Sequence, residues 1–132
     1  MPATNETSQK TNGMKWGSIA LVGLMGSGKS LVGKRLAARV QMPFIDSDTE
    51  IEKLSGIRIS EIFEIAGELK FRELEHRVIS NAVNIGPIVL STGGGAICNP
   101  KIANLLLANT TVIWLKAKPE TLLSRIGSLN SR

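Results

Sequence analysis

The sequence predicts an α/β fold: a parallel sheet with helices packed on both of its faces. Three observations predict it. Four short apolar runs, SIALV at 18–22, FID at 44–46, IVLS at 88–91 and TVIWL at 111–115, have the length and character of strands, the first of them buried. The stretches between them carry apolar residues at helical spacing, so strands alternate with helices, and parallel neighbours need such crossovers. The residues of unusual chemistry, GLMGSGKS, DSD and GGG, each follow a strand. In open parallel sheets, ligands bind beyond the carboxyl ends of the strands.

The first strand, 18–22, ends in Gly23, and the glycine-rich stretch leads into a helix beginning near Lys29, with Val32, Leu36 and Val40 on one face. Pro43 introduces the second strand, Phe44-Ile45-Asp46. A helix over 49–54 follows and is stopped by Gly56. Residues 60–66 form a short helix, with Ser60 as its N-cap and Gly67 past its end. Phe71, Leu74, Val78 and Ala82 then mark the buried face of a longer helix. The third strand follows Gly86-Pro87 and runs into Gly93-Gly94-Gly95. Asn99-Pro100 is a strong helix start, since Asn caps and Pro fits the first turn. That helix carries Ile102, Leu105 and Leu106. After the fourth strand, Pro119 opens a last helix with Leu122, Leu123 and Ile126.

With 132 residues and 42% apolar content, the protein is expected to form one domain over 16–132, behind a polar, disordered leader at 1–15. The leader has no apolar segment of the kind a signal peptide needs, and no run approaches the length that spans a bilayer. The single cysteine, Cys98, excludes an internal disulfide framework and fits a reducing, cytoplasmic setting. Net charge is +5, but nine of the eleven acids lie within residues 41–80, and aromatics are only 4%. A nucleic-acid binder would present a continuous basic face with stacking aromatics, so no nucleic-acid partner and no membrane partner is expected.

The stretch from Gly23 to Ser30 has the pattern G-x-x-x-x-G-K-S between a strand and a helix. Gly23, Gly26 and Gly28 let successive backbone N–H groups turn inward around phosphate oxygens, and the helix N-terminus adds partial positive charge. The phosphate-binding set is Gly26, Ser27, Gly28, Lys29, Ser30 and Leu31. Lys29 reaches the outer phosphates, and the Ser30 hydroxyl is placed to hold Mg²⁺. Asp46 and Asp48 stand one residue apart at the end of the second strand, where both would face the phosphate loop. One serves the metal and the other polarises a hydroxyl nucleophile. Alternatively Asp48 caps the following helix, which is compatible with either role. The third strand ends without an acid, so Asp46 is the better metal candidate.

Glu68, Arg72 and Glu75 share a helix face and could be no more than a surface ion-pair set. Arg72 could instead grip a carboxylate with both prongs of its guanidinium. The triple glycine lets a small ligand approach backbone N–H groups, or simply makes a tight turn. His76, the only histidine, has no identifiable partner and receives no catalytic role.

Taken in order and spacing, GLMGSGKS, FIDSD, GELKFRELE and STGGGA resemble the shikimate kinases, over roughly residues 19–132. The resemblance implies a P-loop kinase-like sheet and an enzyme that uses Mg-ATP to phosphorylate the 3-hydroxyl of shikimate. Lys29 and Ser30 would hold phosphates and Mg²⁺, and Asp46 would support the metal. Asp48 would bind the reacting hydroxyl and act as its base. Arg72 would bind the shikimate carboxylate, Gly93, Gly94 and Gly95 would line its pocket, and Glu75 would orient Arg72. Arg125 would lie near adenine, and Arg132 falls at the arginine of the mobile lid. A fifth strand and a closing helix are expected beyond residue 132, so that the kinase domain is incomplete at its C-terminal end. The protein is expected to be a monomer. The rival readings are another small-molecule kinase of the same fold, such as a gluconate kinase, and an inert nucleotide-binding fragment.

Overall fold

The computed structural model describes residues 17–23 and 28–116. The leader at 1–15, the loop residues 24–27 and the helix expected after Pro119 lie outside the described residues. The elements run β1 (Ile19–Val22), α1 (Lys29–Val40), β2 (Phe44–Asp46), α2 (Ser47–Ser55), α3 (Ile59–Val83), β3 (Val89–Ser91), a 3₁₀ turn (Ala96–Cys98), α4 (Pro100–Asn109) and β4 (Thr111–Trp114). The four strands form one parallel sheet in the order β2-β3-β1-β4. The expected α/β class and all four expected strands are therefore present.

Alternation along β1 explains how the sheet is covered. Ala20 and Val22 face Ile79 and Ala82 of α3 and Ile102 and Leu106 of α4, together with Leu90. Ile19 and Leu21 face the other way, toward Val32 and Ala37 of α1. A third cluster, Ile51, Ile62, Phe71 and Val78, joins α2 to α3. Because every strand is parallel, all their carboxyl ends lie on one rim. Register sets Asp46 beside Ser91, and Ser91 beside Leu21. Thr92 fastens the start of the glycine loop to β1, since its N–H and its hydroxyl both donate to the Leu21 carbonyl, at 3.1 and 3.0 Å.

Two local expectations need correction. Helix α2 begins at Ser47, two residues early, because the Asp46 carboxylate caps it. The residue at the N-cap of α3 is Arg58, not Ser60; the Glu61 carboxylate accepts from the Arg58 N–H at 3.0 Å, so Ser60 lies inside the helix. The two helices expected on either side of Gly67 are present within α3, where Gly67, with φ 87° and ψ 173°, leaves the helical path and kinks the element as expected. The triple glycine leads into a 3₁₀ turn before α4. The Asn99 cap is as expected, its side chain accepting from the Lys101 N–H at 3.0 Å with Pro100 in the first turn.

Helix α1 packs closely on the sheet at Gly33, where a Cβ would stand 2.5 Å from Phe44 Cε1 and 3.2 Å from Leu21 Cδ1. Gly33→Ala gains about 1 kcal/mol of helix propensity but overpacks a stiff ring, a penalty of roughly 1–3 kcal/mol. Urea denaturation is expected to show net destabilisation of Gly33→Ala, relieved when Phe44→Leu is added.

Candidate active site

The N-terminus of α1 provides the first part of the site. Gly28 precedes the helix in the left-handed region, φ 81° and ψ 24°, which glycine adopts without steric cost. The Val32 N–H donates to the Gly28 carbonyl at 2.9 Å and closes the first helical turn. Ahead of that bond, the first-turn N–H groups of an α-helix have no intrahelical acceptor and point outward with the positive end of the helix dipole. Lys29 and Ser30 stand in this turn, with Leu31 exposed beside them. Lys29 is buried, and its Nζ donates to the Gly23 carbonyl at 2.7 Å. Burial pulls its pKa down, opposed by the nearby charges of Asp48 and Asp46. Gly26 and Ser27 lie outside the described residues.

Asp46 closes β2 and touches three elements. Its Oδ1 accepts from the backbone N–H of Asp48 at 3.0 Å and of Thr49 at 3.3 Å, which caps α2. Its Oδ2 accepts from the Ser30 hydroxyl in α1. The cap is therefore Asp46, and the alternative that Asp48 caps α2 falls. The two acids also do not share one strand face as expected. Asp46 ends the strand and Asp48 sits in the first helical turn. They still converge, because the cap wraps the backbone back over the rim.

Asp48 lies against the glycine loop. A Cβ on Gly93 would be 2.8 Å from its Oδ1. That oxygen is buried and has no hydrogen-bond partner among the described residues. Burial, Asp46 and Glu52 push the Asp48 pKa above the usual carboxylate range, with Lys29 and Arg72 opposing. Two residues along the loop, a Cβ on Gly95 would be 2.8 Å from Arg72 Nη2. On its other side, Arg72 Nη1 donates to Glu75 Oε1 at 2.7 Å. The Glu75 side chain is 1% exposed, so this is no surface pair. Only the 3.6 Å contact of Arg72 Nε with the exposed Glu68 fits that description. Burial raises the Glu75 pKa despite Arg72, and Asp48 raises it further.

Lys29, Ser30, Asp46, Asp48, Arg72, Glu75, Gly93 and Gly95 are thus brought to one rim by direct contacts or electrostatic coupling. Gly94 lies in the same turn. His76 lines a cleft of about 520 Å³ with Leu69, Arg72 and Lys101. Arg125 and Arg132 lie outside the described residues. Sequence reasoning missed the cap at Asp46 and the seats that Gly93 and Gly95 give to Asp48 and Arg72. The first was signalled by D-S-D-T-E, an Asp followed by acids at the start of a helix. The second has no sequence signal, because it depends on where two distant helices come to rest.

A strand and a helix joined through a G-x-x-x-x-G-K-S sequence, with an acid pair and a half-buried arginine on the same rim of a parallel sheet, define a P-loop kinase-type fold. The sequence model of the shikimate kinase family matches residues 25–132, and the chain belongs to that family. The shikimate kinase of Nitrobacter winogradskyi is 52% identical over 83% of this chain and 51% of its own length. That of Bartonella henselae is 42% identical over the whole chain and 63% of its own length. A structure of shikimate kinase from Acinetobacter baumannii in complex with shikimate superposes with TM-score 0.77 at 38% identity, covering 90% of this chain and 66% of that one. The chain thus spans about half to two thirds of the length of these relatives.

Two outcomes follow for the ligand-free protein. Asp46→Ala removes a helix cap and should lower stability by about 0.5–2 kcal/mol in urea denaturation. An Asp46 that served only a metal would leave ligand-free stability unchanged. Asp48 has a raised pKa in the folded state, so the fold takes up its proton more readily than the unfolded state does. Its contribution is most favourable below the ordinary carboxylate pKa of about 4 and is lost as pH rises through the raised value. Asp48→Asn should therefore stabilise the protein at neutral pH. That gain should vanish in acid, as read from Tm against pH.

Proposed function

We propose that this protein transfers the γ-phosphoryl group of ATP to a hydroxyl of shikimate. The observation that carries the reading is the seating of Asp48 and Arg72 at two glycines of one loop, with Asp48 within the electrostatic reach of Lys29. A base and a carboxylate clamp then face a phosphate-binding helix N-terminus. The family membership and the shikimate-bound relative support the choice of acceptor. Residues 16–132 would belong to a kinase domain that continues past them, working in the cytoplasm as a monomer.

In this reading the acceptor hydroxyl oxygen forms a bond to the γ-phosphorus while the bond from that phosphorus to the ADP oxygen breaks. The proton leaves the hydroxyl for Asp48. Lys29 neutralises charge on the transferring group, and the α1 N-terminus, with Gly26, Ser27, Gly28, Ser30 and Leu31, holds the other phosphate oxygens. Arg72 grips the shikimate carboxylate, oriented by Glu75, with Gly93, Gly94 and Gly95 lining the pocket. Arg125 would lie by adenine, and Arg132 would close over the phosphates. A hydroxyl bonded to a carboxylate at this helix N-terminus, Ser30 with Asp46, is a hard oxygen donor set that suits Mg²⁺. Mg²⁺ would be held by those two residues and would supply charge neutralisation at the phosphates.

The decisive measurement is ADP release by the full-length protein with Mg-ATP and shikimate, gluconate or no acceptor. Turnover with shikimate alone is expected; turnover with gluconate would move the assignment to the rival kinase. Lys29→Ala should lose about 10²-fold or more in kcat. Arg72→Lys should weaken shikimate by roughly 1–3 kcal/mol while ATP affinity holds. Because Asp48 must be ionised and its pKa is raised, the acidic limb of kcat/KM should lie above the ordinary carboxylate range. A limb near pH 4 would remove Asp48 as the base.

A further inference from the structure

The glycine loop is held at both ends. Thr92 anchors it to β1 by two hydrogen bonds to the Leu21 carbonyl. At the far end the 3₁₀ turn closes through Ala96 N–H to the Gly93 carbonyl at 3.2 Å and Cys98 N–H to the Gly95 carbonyl at 3.1 Å, and the Ala96 side chain is fully buried. Neither Gly93 nor Gly95 has a left-handed φ, so backbone conformation does not require glycine at either position. What requires it is occupancy: the place of a Cβ is taken by the carboxylate of Asp48 in one case and by the guanidinium of Arg72 in the other.

We propose that Gly93 and Gly95 are two stops, two residues apart on a fixed loop, that set where the Asp48 carboxylate and the Arg72 guanidinium stand. They thereby set the hydroxyl-to-carboxylate span of the acceptor. The clause about the acceptor rests on the function proposed above; the seating of the side chains does not. Each side chain depends on its stop. The buried Oδ1 of Asp48 has no hydrogen bond among the described residues, so contact with Gly93 limits its approach to the loop. Arg72 is drawn by Glu75 at Nη1 and halted by Gly95 at Nη2. Two residues of backbone reach at most about 7 Å. The pair therefore selects a compact acceptor, a ring-sized molecule with a carboxylate on one side and a hydroxyl a few ångströms away. A long, open polyhydroxy acid would not meet both groups at once.

An added Cβ at either stop meets the far end of a flexible side chain, so the side chain yields and the loop stays. The two positioning residues should then affect different parameters. In the full-length protein, Gly95→Ala displaces Arg72 and is expected to raise the KM for shikimate tenfold or more, with a fall in kcat of less than threefold. Gly93→Ala displaces Asp48 and is expected to lower kcat tenfold or more, with less than a threefold change in the KM for shikimate. Loss of the same parameter in both variants, or wild-type kinetics in both, overturns the proposal. Seating has its own readout, independent of turnover. Removing the blocked atom should free the glycine position. Thus Gly95→Ala should raise Tm when made in Arg72→Lys and not in wild type, and Gly93→Ala should do the same in Asp48→Ala. Equal Tm changes in both backgrounds overturn the seating itself. Coupled Tm changes with no shikimate turnover by the wild-type protein would uphold the stops and overturn the proposed acceptor.

Discussion

One carboxylate joins the parts that must meet. Asp46 ends β2, caps α2 through the N–H groups of Asp48 and Thr49, and receives the hydroxyl of Ser30 from α1. Without it, three elements would share a rim only because the sheet is parallel. With it, the helix that begins at Lys29 and the helix that carries Asp48 are tied to one strand end. A capped first turn also fixes the direction in which Asp48 leaves the backbone. Its carboxylate is thereby brought against Gly93, on the loop that follows the neighbouring strand β3.

The resulting site holds charges that the fold only partly satisfies. Asp48 and Glu75 are both pushed up by burial, and each keeps a buried oxygen without a hydrogen bond among the described residues. Lys29 is pulled down by burial, while its Nζ donates to the Gly23 carbonyl. Such groups are costly to keep in a ligand-free protein and are characteristic of sites where a bound polar molecule completes the network. Arg72 is the exception. Between Glu75, Glu68 and Gly95 it is held in place before any ligand arrives, and pre-ordered groups lose little entropy on binding.

The fold was legible because its signals are local. Short apolar runs gave the strands, four-residue spacing gave α1, and Asn99-Pro100 gave the start of α4. Of the G-x-x-x-x-G-K-S pattern, also local, the part that the described residues include is Gly23 after β1 and Gly28, Lys29 and Ser30 at the start of α1. Boundaries went wrong where a capping side chain decided them. Asp46 moved the start of α2, and Glu61 moved the start of α3. Arg72 and the triple glycine were visible as candidates, but their contact joins residues 72 and 95 of different elements, which no spacing rule encodes. A surface ion-pair set was a fair alternative for Arg72, and burial of Glu75 decides against it.

Gly67 and Gly33 show opposite reasons for the same residue. Gly33 sits in regular helix and is crowded by Phe44; Gly67 has nothing within 4 Å of a Cβ but holds φ 87° and ψ 173°. That region is essentially closed to residues with a side chain, at a cost of order 1–3 kcal/mol. Tolerance at the two positions is therefore governed by different maps, one of neighbours and one of torsions. Any ranking of variants by proximity alone would mark position 67 as freely changeable. A library built on that ranking would spend its diversity at a residue where every replacement must either strain the backbone or straighten α3, and so re-aim Ile62 and the rest of the α2–α3 cluster.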